Sequence, residues 1–250
     1  MKSQMEPEDA GLVTINHRSL YTERYNCSGR SIVVLLHHGL GTISAWKNQI
    51  PGLVKGGYSV IVYDRWGYGR SDLRNELLTP GFESDLQDLQ ALIEHFEINT
   101  FSLVGHSDGG TLGLFYTAAH PQRVESLVVI GAHIYFEPKM QTGIEAVRHQ
   151  YLNDDRFRKA LSRIHKGKYE QVFNNWFEGW HKSKNQSWDL RLILNQITCP
   201  CLVVQGAQDE HATEQHAIDL AKAIPQAQLW LIPDAGHMLP QDNPDLINQS

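Results

Sequence analysis

From residue 31 onward the chain sets short apolar runs apart by longer stretches of helical spacing. Ser31 to Leu36, Tyr58 to Tyr63, Thr100 to Val104, Ser126 to Ile130, Cys201 to Val204 and Gln228 to Ile232 are such runs, rich in β-branched and large apolar residues. Their apolarity is continuous rather than alternating, which predicts strands covered on both faces, as in a parallel sheet. Between two of them Phe82, Leu86, Leu89, Leu92, Ile93 and Phe96 recur at three and four residues, the apolar face of an amphipathic helix. Similar helices are predicted for Thr111 to Ala119 and for Glu214 to Ile224, the latter closed by Pro225. Strand, helix and strand in succession imply right-handed crossovers and an α/β sheet. Ahead of this rhythm, Leu12 to Asn16 and Leu20 to Tyr25 read as a hairpin closed by His17 to Ser19.

One interval breaks the pattern. From His133 to Gln196 no strand is evident, and bulky aromatics accumulate, including Tyr151, Phe157, Phe173, Trp176, Trp180 and Trp188. The expected organisation is a core from residues 1–132 and 197–250 and a helical cap from 133–196, whose aromatics would anchor it to the sheet. A second helical layer of the core fits the same pattern.

The strand ends carry the candidate chemistry. Gly105-His106-Ser107-Asp108-Gly109 follows one run and precedes a helical segment, the setting of a nucleophile elbow, where a sharp turn exposes a strained serine and the flanking chain must approach closely. Asp209 lies just beyond Leu202 to Val204, and His237 just beyond Leu229 to Ile232, so all three are expected on one edge of the sheet. Their order, Ser then Asp then His, is that of one of the three well-known triad arrangements. A serine hydroxyl is a poor nucleophile until a neutral imidazole takes its proton, and a carboxylate behind the imidazole fixes its tautomer. Taken singly, His237 reads as a loop histidine and Asp209 as a solvated acid beside Glu210; their joint placement favours the triad. His38-Gly39-Leu40-Gly41, after the run ending at Leu36, could supply the Leu40 amide to an oxyanion, joined by the Asp108 amide at a helix start. By itself that segment also reads, as the lesser alternative, as a tight turn that merely reverses the chain.

Composition narrows the alternatives. The chain has 250 residues, 41% hydrophobic and 20% charged, with a formal net charge of −6, values that suit one large globular domain with an insertion. Its basic residues are scattered, so no nucleic-acid stripe is expected. Met1 to Ala10 lacks a signal-like apolar run, and the longest apolar stretch, Ile32 to Leu36, is too short to span a bilayer, so a cytoplasmic, membrane-free protein is expected. Cys27, Cys199 and Cys201 form no metal or redox pair, and Cys199 and Cys201 are expected to pack. The Asp64 to Asp72 stretch lacks a complete dinucleotide-binding pattern. His211 and His216 stand five apart, off the spacing that places two metal ligands on one helical face. Neither a metal nor a cofactor is called for.

These residues together resemble the α/β-hydrolase family over nearly the whole chain. The resemblance rests on His38-Gly39, on Asp64-Arg65 with Gly67, Gly69, Ser71 and Asp72, on the elbow at Ser107, on Pro200, on Gly206 with Asp209, and on Gly236-His237. It implies a mostly parallel eight-stranded sheet flanked by helices, with a helical cap inserted after strand six. More narrowly, Ser107-Asp108-Gly109-Gly110, Gly131-Ala132 with Tyr135, Trp176 and Cys199-Pro200 are similar to the biphenyl hydrolase-like (valacyclovir hydrolase) branch. The chain departs from that branch at His106, where tryptophan is expected. In the branch the acid after the nucleophile binds the α-amino group of an amino-acid ester, a role that would fall to Asp108; otherwise Asp108 is a helix-start acid favoured by the dipole. The expected activity is cleavage of a small carboxylic ester through an acyl-enzyme on Ser107. A carbon–carbon bond hydrolase with the same triad and a slow-turnover small-ligand receptor are the alternatives. A dehalogenase or epoxide hydrolase would need a carboxylate at position 107. Oligomeric state is not legible.

Overall fold

The computed structural model describes residues 5–77, 79, 82–183 and 188–249. Eight strands form one sheet: β1 (Asp9–Ile15), β2 (Arg18–Tyr25), β3 (Ile32–Leu36), β4 (Ser59–Tyr63), β5 (Phe101–His106), β6 (Val124–Ile130), β7 (Cys201–Gly206) and β8 (Ala227–Ile232). Their spatial order is β1-β2-β4-β3-β5-β6-β7-β8. β1 and β2 join the sheet antiparallel, and every pairing from β4 to β8 is parallel. The hairpin between β1 and β2 closes on two residues rather than three: Asn16 and His17 both have positive φ, 49° and 64°, and Ile15 pairs with Arg18. Two left-handed residues match the twist of the flanking strands.

The inner strands bury both faces, and their alternation assigns each face a partner layer. Val34, Leu36, Ile61, Tyr63, Leu103 and Val129 belong to the core packed by α2 (Glu83–His95), α3 (Asp108–Ala119) and α7 (Gln215–Ala223). Val33, Leu35, Val60, Val62, Ile130 and Val204 face the other way, against α1 (Ile50–Lys55), α8 (Leu239–Asp242) and α9 (Pro244–Ile247). Leu89, Leu92 and Ile93 of α2 are fully buried, as their spacing predicts, but the helix starts one residue later than its apolar stripe, with Phe82 held at a φ of 52° before it. The same helix buries two acids: Asp85 meets Arg74 at 2.7 Å and Arg65 at 3.3 Å, and Asp88 meets Arg18 at 3.3 Å. Burial of charge at these positions is sustained by pairing.

Between β6 and β7 run α4 (Pro138–Asn153), α5 (Asp155–His165) and α6 (Tyr169–Ser183). Tyr135 bridges to Asp189 where this segment returns. Its aromatics stack on one another, Tyr151 on Phe173 at 3.7 Å and Phe173 on Phe177 at 6.1 Å, and join the first core. Cys199 and Cys201 are buried thiols. Among the described residues no helix is long and apolar enough to cross a membrane.

What this topology does for function is local. The chain leaves β3 toward β4 on one side and crosses back to β5 on the other, so the carboxyl ends of β3 and β5 flank the point where strand order reverses. Open parallel sheets offer a crevice there for a ligand. Leu36 pairs with Gly105 and His106 with Ile130, bringing the loops after β3, β5 and β6 to one edge.

Candidate active site

Ser107 is the residue between β5 and α3, with φ 54° and ψ −120°, a conformation that side-chain-bearing residues rarely hold. Two features force it. The Ser107 amide is tied to the Ile130 carbonyl at 2.8 Å and its carbonyl accepts from Thr111 at 3.0 Å, so strand and helix meet with no intervening loop. The second feature is the pair of glycines: a Cβ at Gly105 would collide with the Gly109 carbonyl, and one at Gly109 with the Leu36 carbonyl. Such a turn stores strain and presents the hydroxyl above the sheet.

His237 and Asp209 come from neighbouring loops. The loops after β7 and β8 are laced together by Ala207 to Ile232 and Gln208 to Ala235 backbone hydrogen bonds, both 2.9 Å. His237 Nδ1 donates to Asp209 Oδ2 at 2.8 Å, and both residues are buried. Asp209 accepts three further hydrogen bonds: from Gln205 Nε2 at 2.7 Å and from the His211 and Ala212 amides at 2.7 and 3.1 Å. Burial by itself would lift the Asp209 carboxyl, yet the His237 charge and hydrogen bond, with the His211 amide, hold it well below the carboxylate range. Burial would likewise lower His237, but Asp209, then Glu210 and Asp108, raise it above its ordinary value of 6.5.

The imidazoles around His237 go the other way. His211 packs edge-on against it at 4.6 Å, His133 stacks at 5.7 Å and His106 lies at 5.2 Å. Burial, followed by repulsion from His237, pushes His106 down to about 3, His211 to about 4, and His133 well below its usual value. They are neutral near pH 7, so the cluster adds no competing positive charge. His106, where the resemblance leads one to expect tryptophan, donates from Nε2 to the His237 carbonyl at 2.9 Å and so fixes that backbone.

Ser107, Asp108, His237 and Leu40 line one cavity of about 470 Å³, roofed by Met140, Ile144, Val147, Phe157, Trp176 and Trp180 from the inserted helices. Leu40 sits in a turn closed by Gly41 N–H to the His38 carbonyl at 3.0 Å, which leaves the Leu40 N–H outside the turn's own hydrogen bond. Asp108 opens α3, where the first backbone amides have no intrahelical acceptor. Its carboxylate is buried in the cavity wall, accepting from Trp180 Nε1 at 3.1 Å and lying 3.7 Å from Arg65 Nη2. Burial lifts its pKa to about 6 despite Arg65 and Trp180.

All five residues singled out from the sequence, Ser107, Asp209, His237, Leu40 and Asp108, thus meet at one place. Arg65, His133 and His211 join them without having been picked for the site. His133 and His211 follow β6 and β7 by only a few residues, so a strand-end position was the available signal. The spacing that argued against His211 as a metal ligand says nothing of packing on an imidazole.

Comparison with known proteins agrees with this architecture. Residues 32–193 and 173–244 match the model of the alpha/beta hydrolase fold family. The human serine hydrolase BPHL is 27% identical over 232 residues, covering 91% of this chain and 79% of the relative. A 2-hydroxy-6-oxononadienedioate/2-hydroxy-6-oxononatrienedioate hydrolase of Escherichia coli is 28% identical over 249 residues, covering 88% of this chain and 85% of that one. A solved serine hydrolase from the polyaromatic hydrocarbon-degrading bacterium Cycloclasticus zankles superposes with a TM-score of 0.83 at 20% identity, covering 96% and 95% of the two chains. With a matching family model across most of its length and an eight-stranded sheet carrying a strained serine at the turn after β5, the chain belongs to the α/β-hydrolase family.

Proposed function

We propose that the protein is a serine hydrolase that cleaves small carboxylic esters, with Ser107 as nucleophile, His237 as general base and Asp209 as the acid that orients it. The observation that carries this reading is the buried 2.8 Å bond between His237 Nδ1 and Asp209 Oδ2 in a cavity shared with the elbow serine. With Nδ1–H donating its hydrogen bond to Asp209, His237 keeps Nε2 unprotonated as the base. Ser107 Oγ attacks the ester carbonyl as His237 Nε2 takes its proton, and the new oxyanion is met by the Leu40 and Asp108 amides. His237 then hands the proton to the departing alcohol, leaving an acyl-serine. Water, deprotonated by the same nitrogen, releases the acid and restores Ser107. The inserted helices act as a cap whose apolar side chains hold the acyl and alcohol groups, and Asp108 offers its carboxylate to an α-ammonium. Three unpaired cysteines suit a reducing, cytoplasmic setting.

The 28% identity to the Escherichia coli dienedioate hydrolase supports a second reading, in which the same three residues hydrolyse a carbon–carbon bond. One experiment addresses both. Hydrolysis of p-nitrophenyl acetate and of a vinylogous 1,5-diketone is followed in the native protein and in Ser107→Ala. Ester turnover that falls by ~10³-fold or more in the variant, with the circular dichroism spectrum unchanged, is the expected result. Turnover untouched by the substitution overturns the assignment, and turnover of the diketone alone transfers it to the second reading.

A further inference from the structure

Besides the Trp180–Asp108 hydrogen bond in the cavity wall, polar mounts join the cap to the core on two sides. On one side Glu137, just before α4, accepts from the Thr213 amide at 2.6 Å and the Thr213 hydroxyl at 2.9 Å. On the other, the junction of α5 and α6 grips the loop after β4. Lys168 Nζ donates to the carbonyls of Tyr68 (3.2 Å) and Ser71, and Gln171 and Asn175 donate to the Arg74 carbonyl at 2.7 and 3.0 Å.

His165, the last residue of α5, belongs to this second mount but reaches further. Its ring is fully buried and makes two hydrogen bonds to main chain of the core. Nδ1 accepts from the Gly69 amide at 3.0 Å, so the proton must sit on Nε2, which donates to the Leu40 carbonyl at 3.0 Å. The Leu40 carbonyl and the Gly41 amide are the two ends of one planar peptide. His165 holds the oxygen of that peptide, and the His38 carbonyl holds its N–H at 3.0 Å. Pinned at both ends, the peptide fixes Leu40 Cα and hence the direction in which the Leu40 N–H leaves the turn. The His38 carbonyl is anchored in its own right, by His37 Nδ1 at 2.8 Å and Arg65 Nη2 at 3.5 Å, both from the core. The Leu40 carbonyl is held by the cap.

We propose that His165 is a positioning residue through which the cap sets the oxyanion turn, aligning the Leu40 N–H by donating to the Leu40 carbonyl and anchoring itself on the Gly69 amide. This rests on the reading of Leu40 as an oxyanion donor. It couples cap placement to the chemical step: a cap drawn away from the sheet releases the Leu40–Gly41 peptide, and transition-state stabilisation falls before substrate binding does. Burial, with the nearby Lys168 charge, takes the His165 imidazole down to about 4, so the ring keeps its acceptor nitrogen at neutral pH.

Three substitutions separate the two hydrogen bonds. His165→Gln carries an N–H at about the reach of Nε2, His165→Asn offers an acceptor at about the reach of Nδ1, and His165→Phe offers neither. Each is assayed for kcat and KM with p-nitrophenyl acetate and for inhibition by phenylboronic acid, whose tetrahedral adduct places an anionic oxygen where the oxyanion forms. The expected result is a kcat lowered about tenfold or more in the Asn and Phe variants with KM within about twofold, a matching loss of boronate affinity, and recovery of most of kcat in Gln. If His165→Phe does not fold, the Asn and Gln pair decides. The proposal is overturned if Asn and Gln both keep kcat and boronate affinity within about twofold, or if Gln loses as much as Asn. Ser107→Ala in the same assay keeps the two levels apart. A serine variant that still turns over defeats the hydrolase reading itself, whereas a dead serine variant beside unaffected His165 variants defeats this inference alone.

Discussion

Replacing Asp209 by Asn would change one atom and reverse the chemistry of the site. The carboxylate accepts four hydrogen bonds, two on Oδ1 from the His211 and Ala212 amides and two on Oδ2 from His237 Nδ1 and Gln205 Nε2. An asparagine keeps the two amides satisfied by leaving its oxygen in place, which turns its NH₂ toward His237 and Gln205. His237 Nδ1 must then accept, the ring proton moves to Nε2, and the nitrogen proposed to take the Ser107 proton is no longer a base. The neutral amide also removes the charge that stabilises the imidazolium. A wrong tautomer of this kind lowers kcat by ~10⁴-fold in a chymotrypsin-type triad, about 5 kcal/mol of barrier at 1.36 kcal/mol per decade. The pH profile carries a second signature. Because the base must be neutral, activity rises with pH through the His237 pKa, which Asp209 and its neighbours lift above 6.5 against burial. Without the carboxylate, burial dominates and the acid limb of kcat/KM moves below 6.5. Initial rates of p-nitrophenyl acetate hydrolysis between pH 5 and 9, on protein whose thermal melt confirms folding, read both effects. A loss smaller than tenfold together with an unmoved acid limb would refute the role given to Asp209.

Two further substitutions carry expected outcomes. Asp108→Asn should erase any preference for α-amino esters over matched desamino esters. In the native protein that preference should be greatest between about pH 6, where the carboxylate ionises, and roughly 8, where an α-amino group loses its charge; a ratio of kcat/KM that is flat with pH and indifferent to the substitution would sink the idea. The sign for stability is opposite to the sign for binding: an acid whose folded pKa is raised destabilises the fold as pH climbs from about 4 through 6, so the asparagine variant should be no less stable at pH 8. Asp85→Ala removes the shared counter-charge of Arg65 and Arg74, whose side chains are 1% and 4% exposed, and should cost about 3–5 kcal/mol in urea unfolding; a cost under 1 kcal/mol would show the two arginines to be adequately paired by Asp108 and Glu76.

The strands and the catalytic edge were legible because they depend on local rules. The runs from Ser31 to Val204 announced doubly covered strands, whereas Gln228 to Ile232 is an edge strand with Gln228 and Leu229 exposed, and Ser107, Asp209 and His237 each followed a run. The turns were less so. Nothing in Asn16-His17 marks a two-residue turn until their positive φ values are seen, and α1, with Pro51 at its second position, is too short to show a period. Buried charge is illegible for a different reason: Asp85 and Asp88 of α2 are buried because Arg65 and Arg74, in the loop after β4, and Arg18, at the start of β2, are brought against them by the fold. The same holds in the site, where His133, His165 and His211 owe their roles to what the fold brings opposite them. Sequence spacing reports what a residue's own element does, whereas partners more than a turn away are set by topology.

The two carboxylates flanking the cavity show how that topology divides labour. Asp209 and Asp108 are both buried beside the same histidine, so desolvation pushes both upward. Asp209 receives four donors at 3.1 Å or less, including two backbone amides that cannot swing away, and stays ionised. Asp108 receives one indole N–H and faces Arg65 at 3.7 Å, an arginine whose nearer partner is Asp85 at 3.3 Å; its Oδ2 lacks a hydrogen-bond partner among the described residues. Desolvation is therefore overcome at one carboxylate and only partly met at the other. The satisfied one can hold an imidazolium through a catalytic cycle without taking its proton. The other keeps a buried oxygen without a hydrogen-bond partner, and under the proposed amino-ester reading an ammonium that reached it would restore the ionised form that burial disfavours, so that binding and ionisation of Asp108 would be linked.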